Sequence, residues 1–299
     1  MESPEQKELD FFGSCPVCFH PAFHPLHDLG RVHVFRCGRC RMMFLNPYLK
    51  AGSMEKIFSS TEELVKVSPF FQHYFEERAW QTPKTAAIYR KCLTELEYCL
   101  PSKGSLLDVG CGRGTFLKLA KDRGWRVQGV ETNRDSVKMC REEFGIEVTG
   151  EEFLAIRDSS HKWDVIALWD LIEHVPNPGE WVKQCYDRIK TGGVLVIATP
   201  NHHSFLDMVS SLAYRLSRGL VRSGLSKLYT IDHTLYFTEE TLKWLLEREG
   251  FRVLKAMKVN TDLERYSMSP WFRFFAECLL AVSHVLHLQN RILMIARKA

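Results

Sequence analysis

The sequence predicts an α/β protein: a doubly wound sheet of seven strands preceded by a small cysteine-rich module. From residue 105 onward, apolar strand-like runs alternate with amphipathic helical runs, the pattern of strands covered by helices on both faces. The first strand, Ser105 to Val109, runs directly into the glycine-rich turn Gly110-Cys111-Gly112-Arg113-Gly114. Open α/β sheets bind their ligands at that carboxyl end of the strands. Ahead of these elements stand two C-x-x-C pairs, Cys15 with Cys18 and Cys37 with Cys40. With 299 residues, 45% hydrophobic and 25% charged, the composition is that of a globular protein with room for about two domains.

The cysteine module is expected over residues 1–46. Its two pairs lie eighteen residues apart, and each can form a knuckle aiming two thiolates at one metal. Four thiolates suit tetrahedral zinc in a closed, structural site. A segment this small has too little apolar core of its own, so the metal would supply much of its folding energy. Short strands at Phe35–Arg36 and Arg41–Leu45 flank the second knuckle, and with them the segment resembles a zinc ribbon. His20, His24, His27 and His33 are expected on the surface. Arg31, Arg36, Arg39 and Arg41 form a basic edge, but no basic run interleaved with aromatics follows, so nucleic acid is the weaker expectation for a partner. The other six cysteines read as free thiols in a reducing cytoplasm, because Met1 to Asp10 has neither the basic stretch nor the apolar run of a signal peptide. No segment offers about 20 uninterrupted apolar residues for a membrane span. The net charge of +4 permits an acidic partner without arguing for one.

Residues 47–100 read as a helical bridge. One helix is expected to begin at Ser68–Pro69, with Phe70, Phe71, Tyr74 and Phe75 on one face. A second is expected from Thr85 to Cys99, burying Ile88, Cys92, Leu93, Leu96 and Cys99. Pro101 to Gly104 then breaks the chain before the main domain, residues 101–299.

Within that domain Thr115 to Arg123 is the first helix, capped by Gly124. The second strand, Arg126 to Val130, ends in Glu131, twenty-three residues after Asp108. That interval suits one strand–helix–strand unit, and a carboxylate there can accept hydrogen bonds from both hydroxyls of a ribose. A helix from Asn133 to Phe144 and a short strand from Gly145 to Val148 follow. Trp163 to Trp169 is a continuous apolar strand, as one buried on both faces should be. It ends in Asp170-Leu171-Ile172-Glu173-His174. The fifth strand, Val194 to Pro200, delivers Asn201, His202 and His203 to the same sheet end. Residues 203–232 form an expected helical cap, with Arg215, Arg218, Arg222 and Lys227 available for a phosphate or carboxylate. Thr238 caps the next helix, and Phe251 to Met257 is the sixth strand. Before the seventh, Arg291 to Arg297, comes an apolar helix within 269–288. Burial against the cap, a subunit interface and a membrane-surface anchor all fit it; protein packing is favoured, because basic residues are few.

Asp108-Val-Gly-Cys-Gly-Arg-Gly matches the Asp/Glu-x-Gly-x-Gly-x-Gly motif of class I S-adenosylmethionine-dependent methyltransferases, and residues 70–299 resemble that family. The resemblance implies a Rossmann-like sheet of order 3-2-1-4-5-7-6 with the seventh strand antiparallel. It implies that Asp108, Gly110, Cys111, Gly112 and Gly114 form the cofactor loop, with Glu131 on the ribose and Glu151 on the adenine amino group. Trp169 and Asp170 would face the methionine end. Tyr74 and Phe75 would be lid residues over the cofactor mouth. Asp170-x-x-Glu173-His174 resembles the family's post-strand motif beside the acceptor, which makes His174 the first candidate base, since an unperturbed imidazole titrates near neutrality. His202, His203 and His233 are its rivals, and some quinone-pathway relatives use this acid–histidine region with a divalent cation. The zinc module ahead of such a domain is similar to that of sugar and surface-polysaccharide pathway methyltransferases. The expected activity is therefore O- or C-methylation of a small-molecule, sugar or lipid-linked glycan acceptor. An RNA methyltransferase reading its target through the ribbon, and a non-enzymatic cofactor-binding scaffold, are the alternatives.

Overall fold

The computed structural model describes residues 8–67, 82–156, 161–265 and 269–299. The helix start expected at Ser68–Pro69 and the lid candidates Tyr74 and Phe75 lie outside the described residues. The cysteine-rich segment contains β1 (Leu9–Asp10), β2 (Phe23–Asp28), β3 (His33–Cys37), β4 (Met43–Leu45) and β5 (Tyr48–Leu49). The bridge holds α1 (Ala51–Phe58), α2 (Thr61–Val67) and α3 (Pro83–Cys99). Then follow β6 (Ser105–Val109), α4 (Thr115–Asp122), β7 (Arg126–Val130), α5 (Arg134–Phe144), β8 (Val148–Thr149), β9 (Trp163–Trp169), α6 (Pro178–Arg188) and β10 (Ile189–Pro200). The chain closes with α7 (Phe205–Leu216), α8 (Leu225–Leu228), β11 (Leu235–Tyr236), α9 (Glu239–Arg248), β12 (Phe251–Val259), α10 (Pro270–Val285) and β13 (Arg291–Lys298).

The large sheet has seven strands in the order β8-β7-β6-β9-β10-β13-β12. All neighbours are parallel except β13, which runs antiparallel to both β10 and β12. This is the expected 3-2-1-4-5-7-6 arrangement. Its central strands are buried on both faces: all five residues of β6 are buried, and in β9 only Asp164 is not. Alternation along β6 sends Leu107 and Val109 into one core and Leu106 into the other. The helices fill those cores from amphipathic faces with ordinary caps. Asn133 opens α5 by accepting from the Ser136 amide, and Thr238 and Thr241 form a reciprocal capping box on α9.

Several local expectations shift. The third strand is only Val148–Thr149, because Gly145 takes the left-handed cap of α5 (φ 55°) and the Ile146 amide bonds back to Cys140. Strand β10 starts early, at Ile189, and its pairing with β9 is irregular up to Val194 around Gly192 (φ 78°). The cysteine-rich segment does not stand apart as residues 1–46. Its strands continue into β11, giving a four-stranded sheet β11-β4-β3-β2, and Cys15, Val17, Cys37, Met42 and Phe44 share one core with α6, α9 and the large sheet. His27 is a correction: it is 5% exposed, wedged edge-on against Tyr214 and Tyr229 rather than on the surface. The apolar helix packs against the cap along one face only. Leu280 and Ser283 of α10 are buried, whereas Trp271, Phe274, Phe275, Val282 and Val285 are exposed.

Candidate active site

The site grows from the carboxyl end of β6. Gly110 and Cys111 donate their amides to the Val130 carbonyl at 2.8 and 3.1 Å, so the turn folds tightly over the end of β7. Gly110, Gly112 and Gly114 all have positive φ. At Gly114 a Cβ would lie 2.7 Å from the Cys140 sulfur, so both backbone conformation and space demand glycine there. Gly114 thus sits behind the loop, and Gly110, Cys111 and Gly112 line the cavity in front of it.

Two acids flank this loop. Glu131 follows β7, accepting the Gly112 amide on Oε2 (2.7 Å) and the Asn133 amide on Oε1 (2.8 Å). Burial raises its pKa, and these amides pull the other way. Asp108 is 1% exposed, and its Oδ1 has no hydrogen-bond partner. Burial, then the neighbouring Glu131, pushes its carboxyl well above the ordinary range. Beside them Trp169 packs against Tyr89 and Phe116 with ring centroids 4.6 and 5.1 Å away. Asp170, at φ 52°, accepts a hydrogen bond from Arg291 of β13. Glu151 does not join this group. It is exposed and off the cavity wall, which Glu152, Phe153 and Leu154 line instead.

A second cluster lies past β9. His174 Nδ1 stands 2.6 Å from the main-chain carbonyl of Asp232. A carbonyl only accepts, so Nδ1 carries the proton, and in the neutral ring Nε2 is the nitrogen with the lone pair. The rings of Phe58 and His233 pack on this imidazole at 4.9 and 4.7 Å. Glu173 is buried; Oε2 accepts from Thr199 at 2.9 Å, and Oε1 has no partner. Burial, then Asp170, pushes Glu173 up to about 7. Burial lowers His233 to about 4, keeping it neutral. His203, expected as a rival base, is exposed and lies off the cavity. Asn201 closes the strand exit by accepting the His203 amide (3.0 Å) and donating to Gln289 O (2.8 Å), which turns His202 inward and His203 out. The residues sequence reasoning missed include Glu152, Arg291, Asp207 and Tyr229. His202 Nδ1 lies 3.1 Å from Asp207 Oδ2, which also accepts from Tyr229 at 2.9 Å. Asp207 reads in the sequence as an ordinary first-turn acid of α7, so nothing there flags it.

Both clusters open into one cavity of about 1060 Å³ with mainly apolar walls, at the upper end of the range for a small-molecule site. The four cysteines form a separate site. Cys15 and Cys40 sulfurs are 3.6 Å apart and Cys18 and Cys37 3.5 Å, too far for disulfides. All four sulfurs lie within 4.8 Å of one another, and tetrahedral zinc at about 2.3 Å from each sulfur places them about 3.8 Å apart.

Residues 80–256 match the family model described as a methyltransferase domain, more than half of the chain. The chain belongs to that family. It is an S-adenosylmethionine-dependent methyltransferase. Relatives of the methyltransferase include ubiquinone biosynthesis O-methyltransferase of Coxiella burnetii strain Dugway, 28% identical over 199 residues, which are 64% of this chain and 82% of that one. The enzyme of the same name from Caulobacter vibrioides is 30% identical over 105 residues, 32% of this chain and 41% of that one. Among solved structures, magnesium protoporphyrin IX methyltransferase of Synechocystis PCC 6803 shares the fold at TM-score 0.54 and 12% identity, over 79% of this chain and 97% of that one. A methyltransferase structure from Thermotoga maritima does so at TM-score 0.52 and 17% identity, over 82% of this chain and all of that one.

Proposed function

We propose that the methyltransferase moves the methyl group of S-adenosylmethionine to a hydroxyl of a small or glycan-linked acceptor, with His174 as the base. The observation that carries this reading is the imidazole of His174, whose Nδ1–H is committed to Asp232 O, leaving Nε2 as acceptor in the cavity that the glycine loop also lines. The bound sulfonium supplies the activated methyl group. Asp108 and Glu131 hold the adenosyl half, and the unpartnered Asp108 Oδ1 fits a donor from that half. Glu152, which lines the cavity as Glu151 does not, takes the adenine edge in this reading. Trp169 and its aromatic neighbours shape the wall beside the methyl group and exclude water. His174 then takes the acceptor proton as the oxygen attacks in line with the carbon–sulfur bond. A carbon acid would use the same base. A mainly apolar cavity supports a small acceptor over an RNA base, as does likeness to relatives named for ubiquinone biosynthesis. The four cysteines hold one structural zinc, which metal analysis of the purified protein checks.

The test is methyl transfer from labelled cofactor to quinone-precursor phenols, sugar nucleotides, lipid-linked glycans and total RNA. His174→Ala should leave cofactor affinity unchanged and lower turnover by about 10²-fold or more; full turnover moves the base to His202 or His233, and labelling of RNA alone overturns the small-acceptor reading. A second reading rests on Glu173, His174 and His233, whose donor atoms lie within 4.8 Å of one another while Glu173 Oε1 lacks a partner. These donors fit a divalent cation, which would acidify an acceptor hydroxyl. Activity lost to chelator and restored by magnesium or manganese, with zinc in the cysteine site unchanged, supports it.

A further inference from the structure

Helices α7 and α10 pack side by side, and both turn apolar faces outward. On α10 the exposed stripe is Trp271, Phe274, Phe275, Val282 and Val285, continued by Leu286. The first, Trp271, is 84% exposed. On α7 it is Met208, Leu212 and Leu216 at successive helical turns, continued by Leu220 and Val221; Leu220 is 87% exposed. Among the described residues no helix is long and apolar enough to cross a membrane, so this surface suits lying on an interface rather than spanning one.

The charges select its occupant. Between Asp207 and Asp232 there is no acidic residue, while Arg215, Arg218, Arg222 and Lys227 punctuate the leucines and are exposed. On α10, Glu277 is paired with Lys84. A two-fold dimer through α7 would set this cationic segment against its own copy, with no carboxylate in the segment to neutralise it. An anionic lipid surface satisfies both features at once: aromatic and leucine side chains enter the headgroup boundary, and guanidinium groups meet phosphates. The same two helices also line the cavity, through Val209 and Ala213 on one side, with Val221 beyond the end of α7, and Phe275, Ala276 and Leu279 on the other.

We propose that the α7–α10 face docks on anionic bilayers, so that an acceptor with an apolar tail enters the cavity from the lipid. The second half of this statement deepens the small-acceptor reading and rests on it. The docking itself is read without cofactor or acceptor, so its failure and that of methyl transfer are separately visible. The test is co-sedimentation of the full-length protein with vesicles of phosphatidylcholine, with and without phosphatidylglycerol. Expected is sedimentation with the mixed vesicles, at least fivefold less with phosphatidylcholine alone or at high salt. The tryptophan emission should shift to the blue on binding, and the shift should shrink in Trp271→Ser. Both Trp271→Ser combined with Phe274→Ser and Arg215→Ser combined with Arg218→Ser should lower binding at least fivefold. All four residues are exposed, and unchanged thermal melting verifies the fold. No sedimentation of the wild type overturns the proposal. So does a concentration-dependent dimer that the Trp271–Phe274 variant dissociates without any vesicle binding. With docking confirmed, a long-tailed acceptor in vesicles should be methylated faster by the wild type than by these variants, while a water-soluble acceptor is methylated equally. Equal rates on both acceptors overturn the entry route.

Discussion

At Asp108 the site carries an unpartnered carboxyl oxygen inside the protein. Burial and Glu131 raise the folded-state pKa of that carboxyl well above the ordinary value. An acid shifted this way binds more protons folded than unfolded, so in the cofactor-free protein its contribution to stability is lost as pH rises from about 4 through the raised folded value. Asp108→Asn keeps the shape and removes the charge. The melting temperature of the cofactor-free variant should rise at neutral pH, while its affinity for S-adenosylmethionine by calorimetry falls at least tenfold; wild-type affinity would remove Asp108 from the cofactor assignment. At His27 the sign is opposite. Burial lowers its pKa, and its Nδ1 has no partner. The unfolded chain therefore takes the proton first, and stability present above about 6.5 is lost as pH falls through that value toward the lowered folded pKa. His27→Phe preserves edge-on contact with Tyr214 and Tyr229 and removes the titration. Its melting temperature should decline less than wild type between neutral and mildly acid pH, and an identical slope would refute the buried neutral imidazole.

Elements differ in how far their residues announce them. The glycine loop was legible because a buried strand, an acid and three glycines coincide, and β9 because its apolar run is unbroken. Strand β8 starts three residues later than expected, since Gly145 and Ile146 serve the cap of α5 in a way no periodicity records. Strand β11 has two residues, too few for any period. The stripe of α10 was legible as apolar, but periodicity does not say what covers it. Within the loop the glycines are unequal. Gly112 at φ 50° has open space where a Cβ would go, whereas at Gly114 it would strike the Cys140 sulfur. Gly114→Ala should cost about 1–3 kcal/mol by thermal melting, and Gly112→Ala less, with the order of the two as the check.

Across the whole molecule the site residues fell into two kinds. Those tied to the loop and the strand ends, Asp108, Glu131, Trp169, Asp170 and His174, were legible and line one cavity. The phase of the chain after Pro200 was not, because the Asn201 side chain sets which histidine turns inward. Nor was the link between the cysteine site and the His174 side of the cavity. Strand β3 ends in Cys37 and pairs with β4, and β4 pairs with β11 through Phe44 and Met43. The Leu45 amide binds Thr234 O at 3.0 Å, the Leu235 amide binds Glu173 O at 2.9 Å, and Asp232 O holds His174. A metal that fixes the knuckles thus also fixes, through one sheet, the carbonyl that sets the His174 tautomer. The glycine loop belongs to the other sheet. Removing the proposed zinc, by chelation or by Cys37→Ser, should therefore lower the melting temperature and reduce turnover at least tenfold, while cofactor affinity stays within about twofold. Metal-depleted protein with full turnover would show that the acceptor side holds its geometry unaided. A parallel loss of cofactor affinity would show that the damage spreads through the shared core rather than along the strands.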